Sequence, residues 1–236
     1  MDFFIKGWQF WPAEPGPDAG AFDQTSAEPA WPALPQVPAM QRRRLSPLTK
    51  IAFDVAFSQA IDAGTPLVFA SRHGDLPKTA ELLLDVAQQQ PLSPTQFALS
   101  VHNAIVGQYS IFQQHQAAHS SVAAGDSSLH YAVLEAYGLM SDAQVTEVLV
   151  VYADQPVPEL YQCFCPQPVS ARAAALLLSK TEGEAMRLNY LPAAAEPVQD
   201  EVAALQAFLQ SAQPGCVIQT QSAGWQWQRR HHVAEA

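Results

Sequence analysis

Charged residues and long apolar runs are both scarce in this sequence. Asp, Glu, Lys and Arg make up 14% of the 236 residues, about half the share of a typical globular protein, whereas 48% are hydrophobic. No stretch reaches the roughly 18 consecutive apolar residues that a membrane-spanning helix needs. The apolar N-terminus also lacks the basic segment and the small-residue cleavage site of a secretory signal. We therefore predict a folded chain with a sizeable core and no membrane span.

Basic residues are fewer than acidic ones. The 12 Lys and Arg side chains against 22 Asp and Glu give a net charge of −10. Since a strongly acidic protein repels phosphate groups, we predict that neither nucleic acid nor an anionic membrane surface is its main partner.

Cysteine occurs only three times, as Cys163, Cys165 and Cys216. An odd number without an export signal predicts a reducing compartment and hence a cytoplasmic protein. Cys163 and Cys165 have one residue between them, which is not the CxxC spacing of zinc and redox motifs. We therefore predict neither a metal nor another cofactor, and we interpret the three cysteines as small buried apolar residues.

Proline is concentrated near the N-terminus, where eight of the 19 prolines fall within the first fifty residues. Because proline cannot donate a backbone hydrogen bond, the segment 12–38 is predicted to be a loop. This loop would follow a strand over Phe3–Trp11. A helix is predicted to begin at Ser46-Pro47, in the order of N-cap and first helical residue, and to end near Gly64. We expect residues 1–236 to form one domain.

Short apolar runs alternate with segments of helical periodicity from residue 66 onwards. The predicted elements, in the order strand, helix, helix, strand, helix and strand, are Pro66–Ser71, Lys78–Gln89, Thr95–Gln114, His115–Ala124, Ser128–Met140 and Thr146–Tyr152. A hairpin, a helix and two late strands follow, over Ala171–Leu178 and Ala185–Tyr190, Asp200–Ala212, and Cys216–Gln221 and Trp225–Gln228. This alternation predicts an α/β protein with a mixed, mostly parallel sheet and helices on both faces.

Six phrases of the sequence occur together in one known family. They are Arg42–Ser46, Ser71–Asp75, Leu92–Phe97, Ser100–Ala104, Ala123–Ser128 and Val150–Leu160. In this order the chain resembles the β-ketoacyl synthase-like chain length factors of aryl polyene and related polyketide biosynthesis, over about residues 40–161. The resemblance implies the N-terminal half of the thiolase fold of condensing enzymes, a βαβαβαββ arrangement.

In the active relatives of this family, a nucleophilic cysteine lies where a strand meets a buried helix. The resemblance places this elbow at Ala124–Ser127, with Gly125 or Asp126 at the position of the cysteine. Neither residue can attack a thioester. The chain is also expected to end before a second half could supply the two catalytic histidines. The resemblance therefore implies a non-catalytic subunit.

The resemblance also implies a partner, an active β-ketoacyl-ACP synthase. In the expected heterodimer, strand His115–Ala124 pairs antiparallel across a pseudo-two-fold axis, and the chain closes one end of the partner's acyl tunnel. The product would be a polyketide or a fatty-acid-like chain. Because this chain is acidic, we expect acyl carrier protein to dock mainly on the partner.

Candidate interface and tunnel residues lie in two segments of the sequence. They are Phe97, Val101, His102, Asn103, Ile105, Val106, Tyr109 and Phe112 in the first, and His119, Ser120, Ser121 and Val122 in the second. Core packing explains most of the apolar ones equally well. His102 and Asn103 could be catalytic, but capping a helix or satisfying backbone groups at its start explains them better.

Two other functions are compatible with the sequence. Ser127 or Ser128 would be the nucleophile of an acyl-thioester hydrolase or acyltransferase, although the G-x-S-x-G motif is absent. The chain would otherwise be an α/β module that binds a small molecule. Arg72-His73 after a strand is a candidate site for an anion, such as the phosphate of a carrier-protein arm, but support of the loop explains this pair better.

Overall fold

The computed structural model describes residues 1–12, 31–165, 170–194 and 199–230. Its centre is an eight-stranded sheet with the order β3-β2-β4-β5-β1-β6-β8-β7. The strands are β1 (Asp2–Trp11), β2 (Leu67–Ala70), β3 (His119–Val122), β4 (Glu147–Asp154), β5 (Arg172–Ser179), β6 (Glu184–Pro192), β7 (Gly215–Gln219) and β8 (Ala223–Arg229). The helices are α1 (Ala39–Arg42), α2 (Pro47–Phe57), α3 (Leu76–Ala87), α4 (Pro94–Ser100), α5 (Ala104–Gln113), α6 (Ser128–Leu139), α7 (Glu159–Gln162) and α8 (Glu201–Gln210).

Apart from the four-residue helix α7 between β4 and β5, the first five strands have the predicted βαβαβαββ order along the chain. β2 is parallel to both of its neighbours, β3 and β4, and every other neighbouring pair is antiparallel. The sheet is therefore mixed, as predicted, but it is not mostly parallel. The reason is that β1 lies between β5 and β6, and β8 lies between β6 and β7, so each of these neighbouring pairs is antiparallel.

Helices cover both faces of the sheet. On one face α6 and α8 pack over a core that includes Leu129, Val150 and Leu176. On the other face α2 and α5 pack over a second core, in which Phe53 and Leu149 are buried. β2 and β4 read as continuous apolar runs because both of their faces are covered in this way.

The predicted hairpin of the fifth and sixth strands is wrong. β1 lies between β5 and β6 and pairs antiparallel with both of them. The turn that joins β5 to β6 passes close to β1 at Gly183, where φ is +115° and a Cβ would collide with the backbone of Ile5 and Lys6. Two strands joined by a short turn are therefore separated by a third strand from the N-terminus.

The predicted helix after Ser46 begins as expected but ends early. The Ser46 side chain accepts a hydrogen bond from the Thr49 N–H at 3.2 Å, and Pro47 is the first helical residue. The helix ends at Phe57 rather than near Gly64. Ser58 explains the early end, since its hydroxyl donates to the Val55 carbonyl at 2.6 Å and competes with the helical hydrogen bonds.

Two other predicted elements are shorter in the structure. The helix over Thr95–Gln114 is divided into α4 and α5, because Val101 takes an extended backbone conformation. The strand over His115–Ala124 contains only the four residues of β3, since α5 ends at a left-handed Gln114 and an irregular segment follows.

Part of the proline-rich segment 12–38 lies outside the described residues. In the described part, residues 31–38 contain no helix or strand, and Leu34 and Val37 are buried in the core under α2. The ring of Trp31 stacks on Trp11 with centroids 5.6 Å apart. No helix in the described part of the chain is long and apolar enough to cross a membrane.

Candidate functional site

The strand-to-helix elbow lies between β3 and α6, as a single 3-10 turn over Gly125–Ser127. Gly125 is exposed and has a φ of +60°, a conformation that favours glycine. A Cβ built at this residue meets no other atom within 4 Å. The elbow therefore has open space for a nucleophilic side chain but carries none there.

Asp126, the alternative residue at the elbow, faces another part of the chain. Its carboxylate accepts hydrogen bonds from the Gln221 N–H and, at 3.4 Å, from the Ser222 hydroxyl. These two residues form the turn between β7 and β8. Asp126 thus ties the elbow to the C-terminal strands.

The two elbow serines are fully buried, and their hydroxyls have partners within the fold. The Ser127 hydroxyl lies 2.6 Å from the Thr220 hydroxyl and accepts the Trp225 indole N–H at 3.2 Å. The Ser128 hydroxyl accepts the Ala124 N–H and donates to the Gly125 carbonyl. None of these partners is a general base, so neither serine has the contacts of an activated nucleophile.

The N-terminus of α6 is occupied by a buried carboxylate from α8. Glu201 accepts the Leu129 N–H at 2.9 Å and the His130 N–H at 3.4 Å. Burial raises the pKa of Glu201 well above its ordinary value, although these two N–H groups act in the opposite direction. Two amides of the first helical turn, where N–H groups stabilise an anion in many active sites, are therefore already engaged.

His130 completes this buried network. Its Nδ1 lies 2.7 Å from Glu201 Oε2, and its Nε2 accepts the Trp227 indole N–H at 3.1 Å. Because an indole N–H can only donate, the imidazole proton is on Nδ1 and points towards Glu201. Burial lowers the pKa of His130 to about 3, so the ring is neutral near pH 7. The members of this network form no local motif, so the sequence did not predict it.

A second polar cluster lies at the carboxyl ends of β2 and β4. The buried Asp154 accepts the Ser71 hydroxyl at 2.7 Å, the Tyr152 hydroxyl at 2.6 Å and the Arg72 N–H at 3.0 Å. Burial raises the pKa of Tyr152 well above its ordinary value of 10.0. This cluster shapes the loop that carries Arg72-His73, the candidate anion site.

The candidate residues of the first segment occupy different environments. Phe97 and Val101 are 60% and 44% exposed, whereas Ile105, Val106 and Tyr109 are buried. A further ring, Phe112, is partly buried and packs on Phe53, with centroids 5.6 Å apart. The predicted set is therefore divided between an exposed pair and a core group.

His102 and Asn103 lie between α4 and α5. The His102 Nε2 lies 3.0 Å from the Ser71 carbonyl, so this ring joins the end of β2 rather than capping a helix. Asn103 is at the N-cap position of α5, but its side chain makes no capping hydrogen bond. His102 therefore satisfies a backbone carbonyl, although not at a helix start, and neither side chain caps a helix.

The buried core group surrounds a small apolar cavity of about 10 Å³. Its lining includes Phe53, Phe69, Ile105, Val106 and Tyr109. A cavity of this size has room for about one water molecule, far less than an acyl chain needs. Within this chain, these residues form a packed core.

The second candidate segment is β3, an edge strand that pairs only with β2 among the described strands. His119 is exposed, and Ser120, Ser121 and Val122 are half-buried. The Ser120 and Ser121 hydroxyls are buried and have no hydrogen-bond partner among the described residues. One side of β3 is thus available for another strand.

Exposed apolar side chains are also frequent on α3, on α4 and next to them. We call this the α3–α4 apolar surface, made up of Leu83, Leu84, Val86, Leu92, Phe97 and Val101. Between 43% and 60% of each of these side chains is exposed. Several large apolar side chains on adjacent helices are unusual for a surface that faces water alone.

The cysteines are not the buried apolar residues that the sequence predicted. Cys163 is exposed, and Cys165 and Cys216 are half-buried. Cys163 and Cys165 follow α7, a four-residue helix with no buried residue of its own.

Comparison with known proteins assigns the family. Residues 8–228 match the family model described as the β-ketoacyl synthase, N-terminal domain. The chain belongs to this family. A search among curated proteins found no match to the chain.

Solved structures of ketosynthases and chain length factors share the fold. One chain of the complex of ketosynthase ApeO with its chain length factor ApeC from Xenorhabdus doucetiae is 27% identical, with a TM-score of 0.79 over 97% of this chain and 100% of that chain. The ishigamide ketosynthase/chain length factor is 17% identical, with a TM-score of 0.51 over 62% of this chain and 48% of that chain. A β-ketoacyl synthase from Burkholderia phymatum STM815 is 16% identical, with a TM-score of 0.53 over 76% of this chain and 56% of that chain. The predicted thiolase-like fold and the resemblance to chain length factors are confirmed.

Proposed function

We propose that this chain is a non-catalytic, chain-length-factor-like subunit. It would form a heterodimer with an active β-ketoacyl-ACP synthase and shape the acyl tunnel of that enzyme in polyketide, aryl polyene or fatty-acid-like biosynthesis. The observation that carries the proposal is Gly125 at the elbow, where an active ketosynthase needs a nucleophile. The Xenorhabdus doucetiae complex of a ketosynthase with its chain length factor supports the choice of partner.

The surroundings of Gly125 are also unsuited to catalysis. A thiolate nucleophile depends on free N–H groups at the helix N-terminus, which lower its pKa and stabilise the oxyanion. Here the Leu129 and His130 amides donate to Glu201 instead. The missing side chain and the engaged amides both favour a subunit that leaves condensation to its partner.

The edge strand β3 and the α3–α4 apolar surface are the proposed contact with the ketosynthase. A partner strand placed antiparallel beside β3 would satisfy its outer backbone groups and offer partners to Ser120 and Ser121. Burial of the α3–α4 apolar surface would supply the hydrophobic part of the interface.

Phe97 and Val101 are the candidates for the tunnel wall, because they are exposed and can reach a partner. Ile105, Val106 and Tyr109 would support that wall from the core. With a net charge of −10, the chain would leave acyl carrier protein mainly to the ketosynthase. We further propose that residues 1–236 act as one domain, and the odd cysteine count favours the cytoplasm.

The geometry disfavours the first alternative function. Ser127 and Ser128 are buried and bonded to groups that are not bases, which weakens the hydrolase and acyltransferase interpretation. For the second alternative, the apolar cavity beside Phe53 is too small to be the site of a small-molecule ligand.

The test is co-expression with the ketosynthase that is encoded nearest to this chain, followed by native mass spectrometry and a condensation assay. We expect a stable 1:1 complex whose activity is lost when the cysteine of the partner is mutated. His119→Asp on β3 should weaken the complex, whereas Val217→Asp on β7, at the opposite edge of the sheet, should not. The proposal would be contradicted if the chain stayed monomeric in the presence of the ketosynthase. It would also be contradicted if both variants weakened the complex equally.

A further inference from the structure

A thiol and an imidazole meet at the carboxyl edge of the sheet, apart from the elbow. Cys165 Sγ lies 4.0 Å from His73 Nε2, although the two residues are 92 positions apart in the sequence. Both side chains are half-buried, so the pair is accessible from solvent and partly shielded from it. A thiol beside an imidazole is the basic arrangement of a cysteine nucleophile with its general base.

The backbone on both sides of this pair is held by hydrogen bonds. The His73 N–H and the Arg72 N–H donate to Asp154, which the Tyr152 hydroxyl also binds. On the other side, the Cys165 N–H donates to the Gln162 carbonyl at 3.0 Å, in the turn that follows α7. The contact therefore joins two anchored segments.

The protonation state of His73 suits the role of a base. Burial lowers the pKa of His73 below its ordinary value of 6.5, and Asp154 acts more weakly in the opposite direction. At neutral pH the ring is therefore mainly neutral and can accept the thiol proton.

The two other cysteines lack this arrangement. Cys163 is exposed, and the contact of its thiol is the Leu160 carbonyl at 3.8 Å, which cannot take up a proton. Burial raises the pKa of Cys216 to about 11, which keeps this thiol protonated. The chain thus contains two internal controls for the reactivity of Cys165.

We propose that Cys165 and His73 form a nucleophilic thiol–imidazole pair that accepts an acyl group from a thioester. His73 Nε2 takes the thiol proton as Cys165 Sγ bonds to the carbonyl carbon. The carbon–sulfur bond of the donor then breaks, and the departing thiolate takes the proton from His73. The products are S-acyl-Cys165 and a free donor thiol, with no net oxidation.

The choice of a thioester as the donor rests on the proposed function, which places the chain among acyl thioesters. The acylation can be measured on the chain alone, without a ketosynthase. Failure to bind a ketosynthase and failure to acylate Cys165 are therefore separate results.

The experiment incubates the full chain with hexanoyl-N-acetylcysteamine at pH 7.5 and follows acylation of each cysteine by peptide mass spectrometry. We expect Cys165 to be acylated about tenfold faster than Cys163, because a positioned base accelerates the thiol. His73→Gln should slow the acylation of Cys165 by about the same factor and leave the acylation rate of Cys163 unchanged. Alkylation by iodoacetamide provides a second measurement of thiol reactivity, in which we also expect Cys165 to react faster than Cys163.

Equal rates at Cys165 and Cys163 in the unmodified chain would overturn the proposal, and this comparison needs no variant. A rate at Cys165 that His73→Gln leaves unchanged, in a chain with the original thermal unfolding profile, would also overturn it. Alkylation of Cys165 by iodoacetamide without any acylation by the thioester would exclude acyl transfer.

Discussion

Helices α3 and α6 are both 12 residues long, but the fold uses them in opposite ways. α6 buries six residues, including Leu129, between the sheet and α8. α3 buries only Leu82, and it leaves Leu83 and Leu84 52% and 56% exposed. Most apolar residues of α6 serve this chain's own core, although Leu134 and Tyr137 are 40% and 38% exposed, whereas most of those on α3 remain available for another protein.

The difference arises from what surrounds each helix. α6 follows the elbow, and its N-terminus is held by Glu201 from α8. α3 contacts mainly α4, which has no buried residue of its own. Apolar content alone therefore does not say whether a helix belongs to the core or to an interface.

The largest effect is expected from truncation of a buried leucine in α6. Leu129→Ala should lower the free energy of unfolding by about 3 kcal/mol, because it removes apolar contacts and leaves a cavity. Leu84→Ala in α3, the matched control, should change it by less than about 0.5 kcal/mol. Urea denaturation measures both, and equal losses would show that the two helices are packed alike.

His130, in the buried network at the start of α6, should favour unfolding in acid. The pKa of His130 is lowered to about 3 in the folded chain, so below pH 6.5 only the unfolded chain takes up this proton. This contribution lowers the free energy of unfolding by at most about 1.4 kcal/mol per pH unit below pH 6.5. Glu201 acts in the opposite direction, because its pKa is raised and the folded chain binds its proton more tightly.

Denaturation at pH 6.5 and pH 5.5 measures this slope. His130→Gln should lose less stability over this interval than the unmodified chain, because it lacks the His130 contribution while Glu201, His73 and His115 still titrate. A slope that stays the same in the variant would show that His130 does not contribute to the acid sensitivity.

A smaller effect is expected at the elbow. Gly125→Ala should lower the free energy of unfolding by about 1 kcal/mol, because a φ of +60° is unfavourable for alanine. Gly64→Ala is the control, since its Cβ also meets nothing within 4 Å and its φ is not in that region. Thermal unfolding should distinguish the two variants. An unchanged stability in Gly125→Ala would contradict the left-handed conformation.

The smallest change in stability is expected on the α3–α4 apolar surface. Leu84→Asp should alter the free energy of unfolding by less than about 0.5 kcal/mol but weaken the complex with the ketosynthase. Leu160→Asp on α7 is the control, with a leucine that is 74% exposed outside this surface. Native mass spectrometry compares the two, and a complex weakened equally by both would contradict the assignment of the interface.

Local patterns in the sequence predicted much of the fold. β2 and β4 were found because continuous apolar runs are typical of strands covered on both faces. The start of α2 was found because Ser46-Pro47 is a common helix start. The end of α2 was missed, since nothing in the residue pattern shows that the Ser58 hydroxyl turns back to the helix.

The candidate site was less predictable. The resemblance to a family predicted the position of the elbow and its glycine. It did not predict that Phe97 is exposed at the surface whereas Ile105 is buried in the core. Side-chain exposure depends on which elements pack on a helix, and helical periodicity alone does not identify them.

The amino-acid sequence alone determines that this is an acidic α/β chain with short buried strands, and that its first cysteine is Cys163. Such features depend on composition and on neighbours in the sequence. Only the tertiary structure places β1 between β5 and β6, brings Glu201 to a helix start 72 residues earlier, and sets Cys165 beside His73. These contacts join distant parts of the chain, and the packing of the whole sheet and its helices selects them.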